Sequence, residues 1–506
     1  MSLVPDLVKL NTIPVNFEQN IETDLIETST FQEATNVATG FARFDLQQKG
    51  FLHSQSKLFL SLIPETNARA YLPVNIGIGS VIDRAVLKIG NQVINEISDW
   101  NHLHMIKSAQ VDNENNVERE QYTTGRTMNH KYLMRKVVGG VSGTTFPLSG
   151  SYGLDNHRNY SGSAGAAAGA AGGSEGFNGE IQPFAVMDAT DVNTVRESPT
   201  YSVDLSDLFP FLATHSLPLY MIDQQLSIEL YWSPLGALTA GGVAAVPSPR
   251  VCVPAGTADG AQYRIDRNEL KFCADYIFYT DNDAMERYRN ANPVIEFAFP
   301  DYRLSKTTLT QGQLLTGQVR NLGMANRLVS RVLTTVTNDA ASSISMIGKY
   351  NSVFPTRASA TQNSGAVSYN LRYNDRFEFP INLTNPAQLF THFTQSESIP
   401  FVTREEYSRQ QQGLSGIYTF EGHRQDSSAA EFTGLSGLSF MLGTKLTGGR
   451  VGIRGIELHL TMGDAVNGGM PDVGGQGAAT PYTVRSYCEY MRIARLTDGG
   501  MSIFNA

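Results

Sequence analysis

Apolar and polar residues alternate with a period of two through much of this chain, the pattern of strands with one covered face. The pattern over Tyr263–Tyr279 predicts one long strand. Leu270, Phe272, Ala274, Tyr276 and Phe278 fall on one face, and Lys271, Cys273 and Asp275 on the other. A short helix is predicted over Asp281–Asn290, with Asp283 placed to cap the first amides and Glu286 at the capping-box position. Asn292-Pro293 ends it, because the residue before proline is pushed out of helical space. Ile295, Phe297 and Phe299 then share one face of a new strand. This strand–helix–strand clasp divides the chain into two parts of similar length, both predicted to be β-domains.

Other strands are predicted at Phe41–Leu46 and Lys57–Ile63, the latter apolar on both faces and so sandwiched. Val81–Ile97 reads as a hairpin turning at Gly90-Asn91. Asp99 is placed to cap a short helix with Trp100, Leu103 and Ile106 on one face. In Gln225–Trp232, Leu226, Ile228, Leu230 and Trp232 are predicted inward, and Ser227 and Glu229 outward.

The second half repeats the order. Arg327–Thr337 and Ser343–Phe354 read as strands, Val367–Leu383 as a hairpin turning at Asn374-Asp375, and Asn385-Pro386 as the start of a helix carrying Leu389, Phe390 and Phe393. Strand, tight turn, strand, cap and short helix thus recur with different residues, an internal duplication of order. Later strands are predicted at Gly416–Glu421, Leu435–Leu442, Gly452–Met462 and Tyr482–Leu496. Val111–Thr200, with a Gly/Ala tract at 161–174, reads as a long surface loop, since such small side chains cannot build a core. Ser233–Ala261 and Asp464–Ala479 read as further loops, and Met1–Glu33 as an extended arm. The expected division is therefore an arm at 1–33, a first β-domain at 34–280, a linker at 281–292 and a second β-domain at 293–506.

Composition narrows the function. At 506 residues the chain exceeds the ~250–300 at which single cores stop growing, so two domains are expected. The net charge is −9 and the arm has Lys9 as its only basic side chain, which argues against direct nucleic-acid binding. Cys252, Cys273 and Cys488 are few, odd in number and without Cys-x-x-Cys spacing, so they are expected to stay reduced. No basic-then-apolar leader and no run of ~20 apolar residues is present, so a soluble protein without a cleaved leader is expected.

Candidate chemistry is sparse. His102 and His104 lie two apart on a predicted helix and so face different ways, with no cysteine or carboxylate cluster to complete a metal site. Asp281-Asn282-Asp283 imitates the start of a calcium loop, but Met285 and Arg287 stand where oxygens or glycine are needed. Gly413–Gly416 and Gly434–Gly437 resemble a nucleophile elbow but have Ile417 and Leu438 where its second glycine belongs. Gly348-Lys349-Tyr350 lacks the hydroxyl residue of a phosphate loop. No catalytic set, cofactor site or metal site is predicted. Asn159 and Asn382 open glycosylation sequons that are expected to stay unmodified without a secretory route.

Many short strands and long loops predict antiparallel sandwiches, but pattern alone does not choose among them. Here particular residues bear a resemblance. Val81–Ile94 followed by Ser98-Asp-Trp-Asn-His-Leu resembles the hairpin-plus-helix signature of double jelly-roll major capsid proteins of eukaryotic DNA viruses: the polinton-like virus, virophage and nucleocytoplasmic large DNA virus branch. Tyr201–Phe211, Leu217–Leu219 and Leu226–Leu230 resemble later strands of that family's first roll. Leu270–Tyr279 with Asp283–Tyr288 resembles its closing strand and inter-roll helix, and Tyr369–Phe379 matches in the second half.

The resemblance implies an all-β fold of two consecutive eight-stranded antiparallel jelly rolls with short helices and long surface loops. It implies a structural major capsid protein, not an enzyme. Such a protein forms a homotrimer that serves as a pseudo-hexameric capsomer and tiles an icosahedral shell. Neighbouring capsomers, penton and minor capsid proteins would be its partners, and the virion its location after assembly in the host cytoplasm or nucleus. The alternatives are a secreted or surface carbohydrate-binding or adhesive β-sandwich protein, or a minor capsid component. A jelly-roll enzyme should carry a paired-carboxylate or His-metal set.

Overall fold

The computed structural model describes residues 21–29, 32–33, 41–64, 72–73, 77–111, 123–124, 180–181, 200–209, 212, 216–233, 235–236, 248–249, 263–265, 268–279, 282–310, 313, 317–337, 367–384, 386–396, 439–451, 455–462, 481–497 and 500–505. The expected strands at Ser343–Phe354 and Gly416–Glu421, the Gly/Ala tract and the Asp464–Ala479 loop lie outside these residues.

Ahead of the clasp, eight strands carry the framework. They are β1 (Ile21–Ser29), β2 (Phe41–Asp45), β3 (Lys57–Leu60), β4 (Ile82–Ile89), β5 (Gln92–Ser98), β6 (Tyr201–Asp204), β7 (Leu226–Trp232) and β8 (Lys271–Tyr279). Helix α1 (Trp100–Val111) follows β5. One sheet runs β1-β8-β3-β6 and the other β2-β7-β4-β5. Their facing sides interleave Phe44, Leu58, Leu60, Leu87, Ile228, Phe272 and Tyr276, all buried. Trp100, Leu103 and Ile106 form the buried face of α1, as the periodicity predicts.

The clasp is α2 (Asn282–Ala291). Beyond it come β9 (Val294–Thr310), β10 (Gln318–Asn321), β11 (Leu328–Thr337), β12 (Val367–Tyr373), β13 (Arg376–Phe377), α3 (Pro386–Gln395), β14 (Ser439–Val451), β15 (Ile456–Met462), β16 (Pro481–Thr497) and β17 (Gly500–Asn505). The sheets are β9-β16-β11-β14, with β17 added along β16, and β10-β15-β12-β13.

Strand for strand, the two halves share one topology. β1 pairs β8 as β9 pairs β16; β2 pairs β7 as β10 pairs β15; β3 lies between β8 and β6 as β11 lies between β16 and β14. The hairpins β4–β5 and β12–β13, each followed by a helix, are the equivalent pieces that the repeated order predicts. Their turns explain themselves chemically. Gly90 has φ +56°, and Asn374 and Asp375 have φ +47° and +62°, the left-handed region where short polar residues and glycine are tolerated. No described sheet takes strands from both sides of α2.

Four local expectations change. The strand expected over Tyr263–Tyr279 is two pieces: Tyr263–Ile265 pairs with Leu62–Pro64, whereas β8 pairs with β1 and β3, and exposed Asn268-Glu269 turn the chain between them. Residues 21–29 of the expected arm are β1, hydrogen-bonded along all of β8. Asp283 lies inside α2 instead of preceding it. Ser227 and Glu229, expected outward, are buried, and Glu229 receives a 2.6 Å bond from Lys88.

Candidate functional site

The most elaborate polar structure in the described residues lies where the first half meets the second. Asp99 begins it. Its backbone sits at φ +48°, between β5 and α1, and its carbonyl accepts the amides of His102 (3.0 Å) and Leu103 (3.3 Å). The carboxylate does not cap the helix as expected. It points across to β16 and β9, where Arg485 Nε donates at 2.6 Å and Lys306 Nζ at 2.8 Å. The Tyr487 hydroxyl donates to the Asp99 carbonyl at 2.7 Å. Burial pushes the Asp99 carboxyl up, but Arg485 and Lys306 together outweigh it and hold the group below its ordinary value.

A second bridge lies beside the first. Asn95 on β5 donates to Asp301 Oδ1 at 2.9 Å, while Tyr490 and Arg492 donate to Asp301 Oδ2 at 2.9 and 2.8 Å. At the far end of α1, Gln110 donates to the Phe393 carbonyl of α3 at 2.8 Å and to the Ser396 hydroxyl. Between these bridges Arg331 donates from Nε to Glu489 at 2.6 Å and from a terminal nitrogen to the Tyr302 hydroxyl at 2.8 Å. Tyr302 and Ser330 donate to the same Glu489 carboxylate. Burial raises Glu489, and Arg331 with the hydroxyl donors more than reverses this, leaving its pKa lowered. Burial drives the Tyr302 phenol up, so it remains a donor.

Arg485 and Arg331 side chains are only 3% and 8% exposed, so these are ion pairs withdrawn from water. Such pairs add little net stability over an apolar contact, but breaking one leaves a buried charge uncompensated, which fixes a single docking geometry. The arrangement holds two β-units rigidly; it presents no nucleophile with a base and no open ligand set.

The residues singled out in the sequence do not converge. His102 is buried, while His104 stacks on Trp100 with ring centroids 4.7 Å apart. No group of three or more metal-capable side chains occurs among the described residues. Asn382 is exposed, with Oδ1 accepting from Asn370 at 2.9 Å. Asn159, Cys252, Asp281 and the three glycine motifs lie outside the described residues. Cys273 and Cys488 are buried thiols, and burial pushes Cys488 up to about 12. The bridging residues Asp301 and Arg485, and the Arg331–Glu489 pair beside them within the second half, carried no flag in the sequence. Their signal was present in Arg485 and Glu489, charges set among apolar neighbours in a strand covered on both faces.

No family model matches the sequence, and no curated protein does. Solved structures do. PBCV-1 VP54, a crystal structure fitted into a reconstruction of the virophage Sputnik, matches over 96% of this chain and 97% of that one, with TM-score 0.51 and 10% identity. The chain is a double jelly roll. The Sputnik virophage structure (TM-score 0.49, 10% identity, 96% and 88% covered) and the PBCV-1 capsid model (0.48, 12%, 96% and 97%) also match. The sheets β1-β8-β3-β6 and β2-β7-β4-β5 make the first roll of this double jelly roll, and their counterparts make the second.

Proposed function

We propose that this double jelly roll is the major capsid protein of an icosahedral DNA virus, a structural protein and not an enzyme. The observation that carries the proposal is the same eight-strand topology built twice in one chain, with the two copies joined across the junction by the buried Asp99–Arg485 ion pair. A brick with two matched halves, assembled three at a time, has a nearly six-fold outline, and six-fold outlines tile a closed shell. The similarity to PBCV-1 VP54 over nearly both whole chains supports this reading. In it the functional units are an arm at 1–33 that lends β1 to the first roll, a first roll to 280, a linker at 281–292 and a second roll at 293–506. Neighbouring capsomers, penton and minor capsid proteins are its partners, the virion is its location, and the genome is not contacted by this acidic chain.

The test is expression of the chain alone followed by negative-stain imaging. Uniform particles with a hexagonal outline, forming flat or curved arrays when concentrated, are expected. Featureless single-chain particles under every salt and pH condition would refute the proposal.

A further inference from the structure

The first roll closes the far end of its β1-β8-β3-β6 sheet with two short pieces. On the side away from β1, β8 pairs with β3 and then, at Tyr276 and Ile277, with Phe51–Leu52. Phe51–Leu52 in turn pairs with Leu217–Pro218. Leu217 and Pro218 are buried, and the amides of Leu219 and Tyr220 donate to the Gly50 carbonyl at 2.8 and 3.2 Å. The Tyr220 ring covers Phe51 edge-on, with centroids 5.1 Å apart.

The second roll repeats the first of these pieces and not the second. On the side of β16 away from β9, β11 pairs up to Tyr490 and β17 takes over along residues 492–497. Phe504 stands opposite Ile493 as Phe51 stands opposite Ile277, while Ala494 and Leu496 are buried on the other face. No described residue pairs with the far edge of β17. Phe504 is 49% exposed there, and Ile503 beside it is half-buried.

Chain length explains the difference. Leu217–Pro218 belongs to residues 205–225, which join β6 to β7. The equivalent join, from β14 to β15, is residues 452–455, and it is used up in crossing the ~10 Å to the facing sheet. The edge is also unguarded. Proteins blunt edge strands with charges or proline. β1, an edge of the first roll, carries Glu22, Asp24 and Glu27, whereas β17 carries neither charge nor proline.

We propose that the far edge of β17 is a docking site for an extended, uncharged, apolar segment of a partner protein, added as an antiparallel strand through main-chain hydrogen bonds. The first roll shows which side chains fit, in Leu217-Pro218-Leu219-Tyr220. In that register a proline faces Phe504, which an outermost strand tolerates, and the leucine after it covers Ile503. The aromatic that follows seats on Phe504 as Tyr220 seats on Phe51. The site lies on a single chain and stands apart from how copies of the chain meet.

The test uses the full chain and a fluorescein-labelled peptide with the sequence of residues 216–223, against a scrambled control. Anisotropy is expected to show saturable binding of the peptide and none of the scramble. Phe504→Lys, at an exposed position and with unchanged melting as the folding control, should weaken binding about tenfold or more, because a charge blunts the edge and the aromatic contact is lost. Leu25→Lys, on β1, should leave binding unchanged. Hydrogen exchange should show protection gained at residues 500–505 when the peptide is added. No saturable binding, equal binding to Phe504→Lys, or protection gained at residues 51–52 in place of 500–505 would each overturn the proposal. Amides of residues 500–505 all protected before the peptide is added would overturn it too, because another part of the chain or a second copy would already hold the edge.

Discussion

Truncating Asp99 to alanine removes the carboxylate that Arg485, whose side chain is 3% exposed, and Lys306 both donate to. Removing one partner of a buried pair costs about 3–5 kcal/mol, because the remaining charge loses that counter-charge while staying withdrawn from water. Lys306 adds little to this, since its side chain is 46% exposed and can turn to solvent. For a unit of about two hundred residues each kcal/mol shifts Tm by roughly 2 °C, so the expected loss is about 6–10 °C. The assay is differential scanning calorimetry on the parent, Asp99→Ala, Arg485→Met and the double variant. The double variant should recover much of the loss, because it buries no unpaired charge; a coupling of about 1–3 kcal/mol is expected for groups in direct contact. High salt should change the parent little, as buried pairs are poorly screened. A loss of under about 1 kcal/mol for Asp99→Ala, the range of exposed pairs, would show that the junction is wet and the two rolls are not fixed by it.

Other perturbations follow from the same geometry. Asp99 and Glu489 have lowered pKa values, so their contribution is fully present above their ordinary values of 3.8 and 4.5 and is lost as pH falls through the lower folded values; Tm measured against pH should drop below about that range, and less steeply in Glu489→Gln. Gly443 lets α3 rest on β14, since a Cβ there would lie 2.8 Å from Ser396 Oγ and 3.1 Å from Phe393; Gly443→Val should cost about 1–3 kcal/mol by overpacking, read from urea unfolding, and a neutral result would mean α3 is free to shift. Cys488, buried with its thiol pushed up to about 12, should resist a thiol reagent at pH 8 in the folded protein of a Cys252→Ser/Cys273→Ser variant and react on unfolding; fast native labelling there would contradict the packing of β16.

Much of this fold was readable because local chemistry and global topology agree at particular places. Gly90 and Asn374-Asp375 turn two hairpins, the periodicity of Trp100, Leu103 and Ile106 builds α1, and Ile456, Leu458 and Leu460 alternate along β15 as its buried face. What failed depended on distant partners. Residues 21–29 read as an unsupported arm because β8, their partner, lies some 250 positions away in the chain. The split at Asn268-Glu269 arises from a change of pairing partner that no local pattern encodes. Asp99 stands at an ideal capping position, yet its carboxylate is claimed by Arg485, 386 residues on. The junction was therefore invisible as a site even though each of its residues was in plain view.

The central claim is that two equivalent rolls, welded within a chain, assemble three chains at a time. Native mass spectrometry of the purified full chain tests it most directly. The account predicts a dominant species at three times the 55.3 kDa chain mass. A stable monomer, or an even-numbered oligomer built on two-fold contacts, would contradict it.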